Sequence, residues 1–322
     1  MLQVVLLIAG FLLISPKTDL FWATTPLLFL LGANNVRVLL PYTPLFKKAA
    51  PATTQKHSNS VSVLSVNVYQ FNTQYQRMID TIQNIDPDII LTMESNQAWE
   101  DALTVLEKDY PYSKKIALEN TYGMHFYSKL KASDIKAHYF VADDMPSIEA
   151  TLETSDKTKF TLFGVHPAPP SPTEEANSKE RDGELLSVAR RVKEVNTPVL
   201  VVGDFNNVAW ARSSILFRKT SELLDPRIGR GFVSTFHARY KLLRFPIDLF
   251  FHSTDIFVED FRTLPDVGSD HLPLYSRFFV NHSSDIQEEE VEVLDEEESE
   301  EVEEMIEDGI EEESDRPAVA TE

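Results

Sequence analysis

Val199-Leu200-Val201-Val202-Gly203-Asp204-Phe205-Asn206 is an apolar run that closes on Gly and then presents an Asp and an Asn two residues apart. A short run of Val and Leu bounded by turn signals reads as a strand buried on both faces. The end of such a strand carries its side chains to a sheet edge, where ligands enter. Asp204 offers a carboxylate to a cation or a water there, and Asn206 an amide donor and acceptor to a neighbouring oxygen. Read alone, Gly-Asp-x-Asn is as often a plain turn.

Similar runs flank this one. Val61–Tyr69, Asp88–Met93, Lys159–Val165, Ile247–His252 and Leu272–Phe279 read as further strands, and the Val199 run extends back to Pro198. Gln76–Ile85, Gln97–Glu107 and Asp182–Val195 carry apolar residues at helical spacing, with Asp182 a candidate N-cap. Strands mixed with helices over residues 60–281 imply one α/β or α+β domain with helices covering sheet faces.

Polar residues interrupt the apolar runs at particular places. Asn67 lies inside Val61–Tyr69, Glu94 ends Ile89–Met93, and Asp248 lies within Phe245-Pro246-Ile247-Asp248-Leu249. An ionised carboxylate at the end of a buried strand is costly unless a cation or hydrogen-bond donors neutralise it. Glu94 is therefore a better metal-ligand candidate than any Glu near the C-terminus. His166 follows Gly164-Val165 and precedes a Pro-rich loop, and Ser269-Asp270-His271 precedes Leu272-Pro273 and a strand. Each is by itself also compatible with a satisfied loop histidine or a capped turn.

Composition narrows the classes. The chain has 322 residues and no cysteine, which excludes disulfide frameworks, zinc–thiolate sites and cysteine nucleophiles. Its net charge of -21 is uneven: residues 285–322 hold 20 acidic residues and one basic residue. The remainder is almost neutral, so no general attraction to nucleic acid is indicated.

Four regions are distinguished. Residues 1–33 form a membrane-associated hydrophobic segment made of the apolar runs Met1–Ser15 and Leu20–Ala33. Each run is shorter than the roughly 20 residues of a comfortable span, so a helical hairpin or a signal-anchor-like piece is expected. A charged start and a small-residue cleavage site are missing, unlike a secretory signal. Residues 34–59 read as a linker, 60–281 as the catalytic domain, and 282–322 as an acidic disordered tail with a basic partner as its conceivable ligand. Arg37, Lys47 and Lys48 after the second run bias the domain weakly toward the cytoplasm, which leaves its side of the membrane open.

Taken in order, Ser65-Val66-Asn67, Met93-Glu94, Gly164-Val165-His166-Pro167, Gly203-Asp204-Phe205-Asn206, Pro246-Ile247-Asp248 and Ser269-Asp270-His271 resemble the endonuclease/exonuclease/phosphatase superfamily. The resemblance is in particular to a bacterial branch with a hydrophobic N-terminal segment, placed at the inner membrane. It spans residues 60–281. It implies a DNase-like four-layer α/β sandwich, two face-to-face mixed β-sheets flanked by helices, with Mg²⁺- or Mn²⁺-dependent hydrolysis of phosphoesters at one end.

By position in those motifs, Glu94 would ligate the metal with Asn67 beside it, and Asp270 would ligate the metal or its water. Asp204 would orient or deprotonate the attacking water, and Asn206 would hold a phosphoryl oxygen. His271 would be the general base, oriented by Asp248, and His166 would assist the leaving group or stabilise the transition state. An imidazole near its free pKa of about 6.5 can accept the water's proton at neutral pH. The division of the base role between Asp204 and His271 stays open. Arg181 and Asn207 are candidate substrate contacts. Leu249 stands where many relatives have His, which puts a secondary phosphate contact in doubt.

The resulting reading is a membrane-tethered metal phosphoesterase acting on a lipid headgroup, a small phosphoester or a nucleic acid. A non-catalytic scaffold that keeps the fold, and a membrane structural protein, are the competing readings. The first of these predicts broken site residues and the second leaves the strand-end carboxylates unexplained.

Overall fold

In a computed structural model the described residues are 2–13, 18–46, 57–171, 175–282 and 286–312. They divide into a small unit, Met1–Lys48 with Arg227–Gly231, and a large one, Ala49–Pro226 with Phe232–Glu322.

In the small unit Leu2–Leu13 (α1) and Asp19–Leu39 (α2) are both helical. Thr18 caps α2 by accepting the Phe21 N–H, and the Phe11, Phe21 and Trp22 rings meet edge to face. The sequence predicts the second apolar run to stop at Ala33. The helix instead continues through Asn34, Asn35 and Arg37. Polar residues of modest propensity do not end a helix. It ends at a 3₁₀ turn, Leu40–Tyr42, containing Pro41, which has no N–H for the ladder. Phe21–Tyr42, with mean hydropathy 1.3, is thereby long and apolar enough to cross a membrane. Part of the expected linker is thus helix, and residues 47–56 lie outside the described residues.

The large unit runs Val61–Asn67 (β1), Tyr75–Ile85 (α3), Ile89–Met93 (β2), Gln97–Leu103 (α4), Tyr112–Ile116 (β3), Met124–Ser128 (β4), Lys131–His138 (β5), Ser147–Glu153 (β6), Lys159–Val165 (β7), Lys179–Lys193 (α5), Val199–Asp204 (β8), Arg212–Ser221 (α6), Asp248–His252 (β9), Ile256–Thr263 (β10), Leu274–Val280 (β11) and Glu296–Glu311 (α7). One sheet has the order β10-β11-β1-β2-β4-β3 and the other β5-β6-β7-β8-β9. Both are mixed: β1/β2 and β7/β8 are parallel and every other pair is antiparallel.

The core lies between the sheets, where Val63, Leu91, Phe126, Leu162, Val202, Phe250 and Phe278 are buried together. Apolar burial of this extent is the main force holding the two sheets face to face. On the outside of the first sheet, Met78, Ile82, Trp99 and Leu103 of α3 and α4 pack on Leu64, Val66 and Ile90. Phe217 of α6 packs its ring on Phe205 and Phe251, beside the second sheet. The result is the expected DNase-like four-layer α/β sandwich.

The acidic C-terminal region departs from the expectation of disorder over its described part. Asp295 and Glu298 form a reciprocal capping box that starts α7. Val302 and Ile306, one turn apart, bury against Leu186 and Leu216, with Met305 beside them. Gly183 and Gly309 allow α5 and α7 to touch, since a Cβ on Gly309 would lie 2.9 Å from the Gly183 Cα. Some of its glutamates pair with basic residues of the domain: Glu298 with Lys219 and Arg212, Glu301 with Arg212, Glu303 with Arg190, and Glu292 with Arg218. Residues 283–285 and 313–322 lie outside the described residues.

Gly203 sets how closely two strands of the second sheet can end. It faces Val165 across the parallel β7/β8 pair, and a Cβ there would lie 1.9 Å from the Val165 carbonyl oxygen. Gly203→Ala must push the two strand ends apart, with an expected loss on the order of 3 kcal/mol in chemical denaturation. A change near zero would show that the close approach is not a constraint.

Candidate active site

The two parallel pairs deliver their C-terminal ends to one place. β1 and β2 finish in register at Asn67 and Met93, and Glu94 follows. The β7/β8 pairing ends at Val165 and Gly203, followed by His166 and by Asp204, the last residue of β8. Asp204 pairs across with Asp248 on β9. The loop before β11 adds Asp270 and His271. Asn67, Glu94, His166, Asp204, Asn206, Asp270 and His271 line one cleft of about 280 Å³, with Thr121, Pro169, Ser171, Phe236 and Ile247 completing its wall.

A hydrogen-bond network connects the sheets across this cleft. The Asn67 amide nitrogen donates to Glu94 Oε1 at 2.8 Å and to Asp204 Oδ2 at 3.1 Å. The Asn67 oxygen is turned the other way and accepts the Tyr69 N–H at 3.0 Å. By the motif resemblance Asn67 is expected on the metal beside Glu94, whereas here its NH₂ bridges two carboxylates. The Gln70 N–H donates to Glu94 Oε2 at 3.1 Å. Asp248 Oδ2 holds His271 Nδ1 at 2.7 Å, and His271 Nε2 stands 3.5 Å from Asp204 Oδ2. Ser269 Oγ accepts the His271 N–H and donates to the Asn67 carbonyl, fixing the histidine loop to β1. Asn206 donates its amide to the Pro167 carbonyl at 2.9 Å. Tyr69, Glu94 and Asn206 all have φ between 49° and 58°, a left-handed backbone that non-glycine residues adopt rarely. Such strain persists only where surrounding contacts enforce it.

Burial sets the protonation of these groups. It pushes Glu94 up to about 7, against the lowering effect of the Asn67 and Gln70 hydrogen bonds. Burial also raises Asp204, opposed by the His271 charge. Burial would lower His271, but Asp248 and Asp204 override it and carry the imidazole up to about 10. His166 is pushed down to about 4 by burial. Its Nδ1 has no partner, and Nε2 lies 3.9 Å from Asp204. The sequence alone leads one to expect an ordinary imidazole pKa at His271, suited to accepting a proton at neutral pH. Two carboxylates against a buried ring make it an imidazolium there instead. His166 is the neutral imidazole.

Arg181 and Asn207 do not line the cleft. Arg181 is bound to Asp182 and to the Asn206 carbonyl, and Asn207 donates to Ser213 Oγ at the start of α6. Asp182 is not the cap of α5, which begins at Lys179 after Ser178. Leu249 alternates with Asp248 along β9, and therefore faces the opposite side of the sheet. A histidine there would not reach the cleft, so the departure at 249 removes no contact from it. Sequence reasoning missed Gln70, Thr121 and Phe236. The first acts through its backbone, and the other two sit in irregular segments with no periodic signal.

Among the described residues, Asp204, Asp248 and His271 each present one possible ligand atom, all within 4.8 Å of one another. A profile of the Endonuclease/Exonuclease/phosphatase family matches residues 64–271, from β1 to His271. The chain belongs to this family. The structure of D. rerio TDP2 complexed with a single strand DNA product has a TM-score of 0.59 at 17% identity, covering 69% of this chain and 99% of that one. The human Nocturnin catalytic domain with bound sulfate gives 0.55 at 16% identity, over 70% and 97%. A mannosyl-6-phosphatase of Bacteroides thetaiotaomicron gives 0.53 at 18%, over 68% and 99%. At such identities these structures attest the fold alone. No curated protein matches the chain. Family membership and the clustered carboxylates and histidine mark the chain as a metal-assisted hydrolase in general terms.

The Asp248–His271 contact makes a direct forecast. In chelator-treated Asp248→Asn protein, the His271 pKa should fall from about 10 by about 1–3 pH units, read from imidazole ¹⁵N shifts. The sign follows from removing a negative charge that favours the imidazolium. An unchanged titration would mean that Asp248 does not hold the ring.

Proposed function

We propose that this family member is a divalent-metal phosphoesterase, tethered to a membrane by its N-terminal helices and cleaving a phosphodiester or phosphomonoester. The observation that carries the reading is the bridge Glu94–Asn67–Asp204, in which a half-buried and a buried carboxylate converge on one amide nitrogen. Negative charge gathered this way, in reach of hard oxygen donors, fits Mg²⁺ or Mn²⁺. Glu94 would hold the ion with Asp270, and Asn67 would keep Glu94 and Asp204 in place. Such an ion neutralises phosphoryl oxygen charge and makes a bound water more acidic.

The chain's own groups then divide the work. Asp204 accepts the proton of the attacking water. This assignment is favoured because Asp248 and Asp204 both favour the protonated form of His271. The imidazolium, held by Asp248, donates to the phosphoryl group as negative charge accumulates. His166, neutral and buried, serves as a hydrogen-bond donor through Nε2 rather than as a general acid. Asn206 spends one amide hydrogen on Pro167 and has a second for a phosphoryl oxygen.

The intact constellation argues against a scaffold that has lost activity. The long apolar helix α2 supports a tether, and together with the resemblance it supports a bacterial inner-membrane location. Similar folds include a structure with a DNA product and a sugar phosphatase, so the leaving group is identified by experiment. Full-length protein with Mg²⁺ or Mn²⁺ should release product from at least one of a phospholipid, a nucleic-acid or a small phosphoester substrate. Glu94→Gln and Asp204→Asn should each reduce turnover by about 10²–10⁴-fold with unchanged circular dichroism. Absence of metal-stimulated turnover on every class would overturn the reading in favour of the scaffold.

A further inference from the structure

One wall of the cleft continues into a surface feature that catalysis does not use. Phe236 and Ile247 line the cleft, and between them the chain leaves it as a pinched loop. The N–H groups of Thr235 and Phe236 both donate to the Phe245 carbonyl, closing the base. The base is fastened to the site. Leu272 N–H donates to the Thr235 carbonyl, Ala238 N–H donates to the Asp270 carbonyl, and the Phe236 ring lies 4.9 Å from His271.

The tip is His237-Ala238-Arg239-Tyr240-Lys241-Leu242-Leu243-Arg244, with Lys241–Leu243 forming a 3₁₀ turn. Leu242 is 99% exposed, Leu243 65%, Tyr240 54% and Phe245 49%. A lone exposed leucine needs no explanation, but four large apolar residues on one loop do. Residues 232–247 also include Arg239, Lys241 and Arg244 and no acidic residue, in a chain of net charge -21. Arg244 is turned back onto the carbonyls of His237 and Ala238. Arg239 and Lys241 are exposed beside the leucines.

We propose that this loop is a docking surface for an anionic lipid bilayer. Apolar side chains at the tip enter the interfacial layer, and the flanking cations meet lipid phosphates. Two features select a bilayer over a nucleic acid. The most exposed side chains are aliphatic and cannot stack on bases as aromatic platforms do. The same chain also carries a helix long and apolar enough to cross a membrane. The exposed pair Tyr69 and Phe71, in contact edge to face, comes directly after cleft residue Asn67 and adds an apolar rim. Docking by the loop would bring the cleft mouth to the lipid surface, which favours phosphoesters presented there as substrates.

The absence of cysteine makes the test clean. Full-length Leu242→Cys is labelled with an environment-sensitive nitrobenzoxadiazole group, and Val105→Cys, exposed elsewhere on the domain, is labelled as the control. Each is mixed with phosphatidylcholine–phosphatidylglycerol vesicles, with or without spin-labelled lipid, and with pure phosphatidylcholine vesicles. The label at 242 is expected to shift to the blue and be quenched on anionic vesicles, while the label at 105 does neither. Adding Arg239→Gln and Lys241→Gln should together weaken the insertion equilibrium on the order of thirtyfold, since each cation near an anionic surface contributes about 1 kcal/mol. A label at 242 that stays water-like on anionic vesicles overturns the proposal. So does a response to single-stranded oligonucleotide alone, or a concentration-dependent blue shift without lipid, which would indicate a second copy of the chain. Insertion is read with chelator and no divalent metal, so that lipid is bound but not turned over, and its failure leaves the phosphoesterase reading standing.

Discussion

Two carboxylates, Glu94 and Asp204, share one amide nitrogen at the mouth of a sheet sandwich, and the arrangement of the molecule follows from keeping them there. They come from different sheets and lie far apart in sequence, so neither is positioned unless the sandwich closes. Each lies at the end of a strand of a parallel pair, and Asn67 of β1 joins them. Burial, complete at Asp204 and partial at Glu94, raises the pKa of both. The site thus holds charge at a cost, which hydrogen-bond donors, the His271 imidazolium and a divalent cation each relieve in part.

This constraint explains why the core is built as it is. Gly203 has no Cβ because β7 and β8 must close tightly just before Asp204 and His166 diverge. Ser269 stitches the histidine loop to β1, so that His271 arrives opposite Asp204 rather than in solvent. The left-handed backbone at Glu94 and Asn206 aims both side chains into the cleft at a local energetic cost, which the packed strands behind them sustain. The acidic helix α7 sets Glu298, Glu301 and Glu303 against basic residues of α5 and α6.

Much of this was legible in the residues. The strands that carry the site were visible as buried apolar runs, and the polar residues interrupting them marked Asn67, Glu94, Asp204 and Asp248. The features that stayed hidden did so for physical reasons. β5, Lys131–His138, is an edge strand whose core-facing Ala132 and Ile135 are thrown out of alternation by a bulge between Ala132 and Asp134, so no period of two announces it. α7 was masked by its glutamates, although Val302, Met305, Ile306 and Gly309 carry a helical period that matters only once α5 and α6 supply a partner. The pKa of His271 depends on two carboxylates that meet it in space and not in sequence. Arg181 and Asn207 looked like substrate contacts because of their neighbours in the chain, whereas their side chains stabilise the loops that carry the site.

The central claim is that these carboxylates seat a cation, and Mn²⁺ binding to the full-length protein measures that most directly. Electron paramagnetic resonance titration of the wild-type chain should show saturable loss of the free Mn²⁺ signal, reversed by Mg²⁺. Glu94→Gln should weaken this binding by about tenfold or more, as the loss of a charged ligand implies. Wild-type protein that leaves the free signal unchanged, or a Glu94→Gln protein that binds as tightly as wild type, would contradict the account.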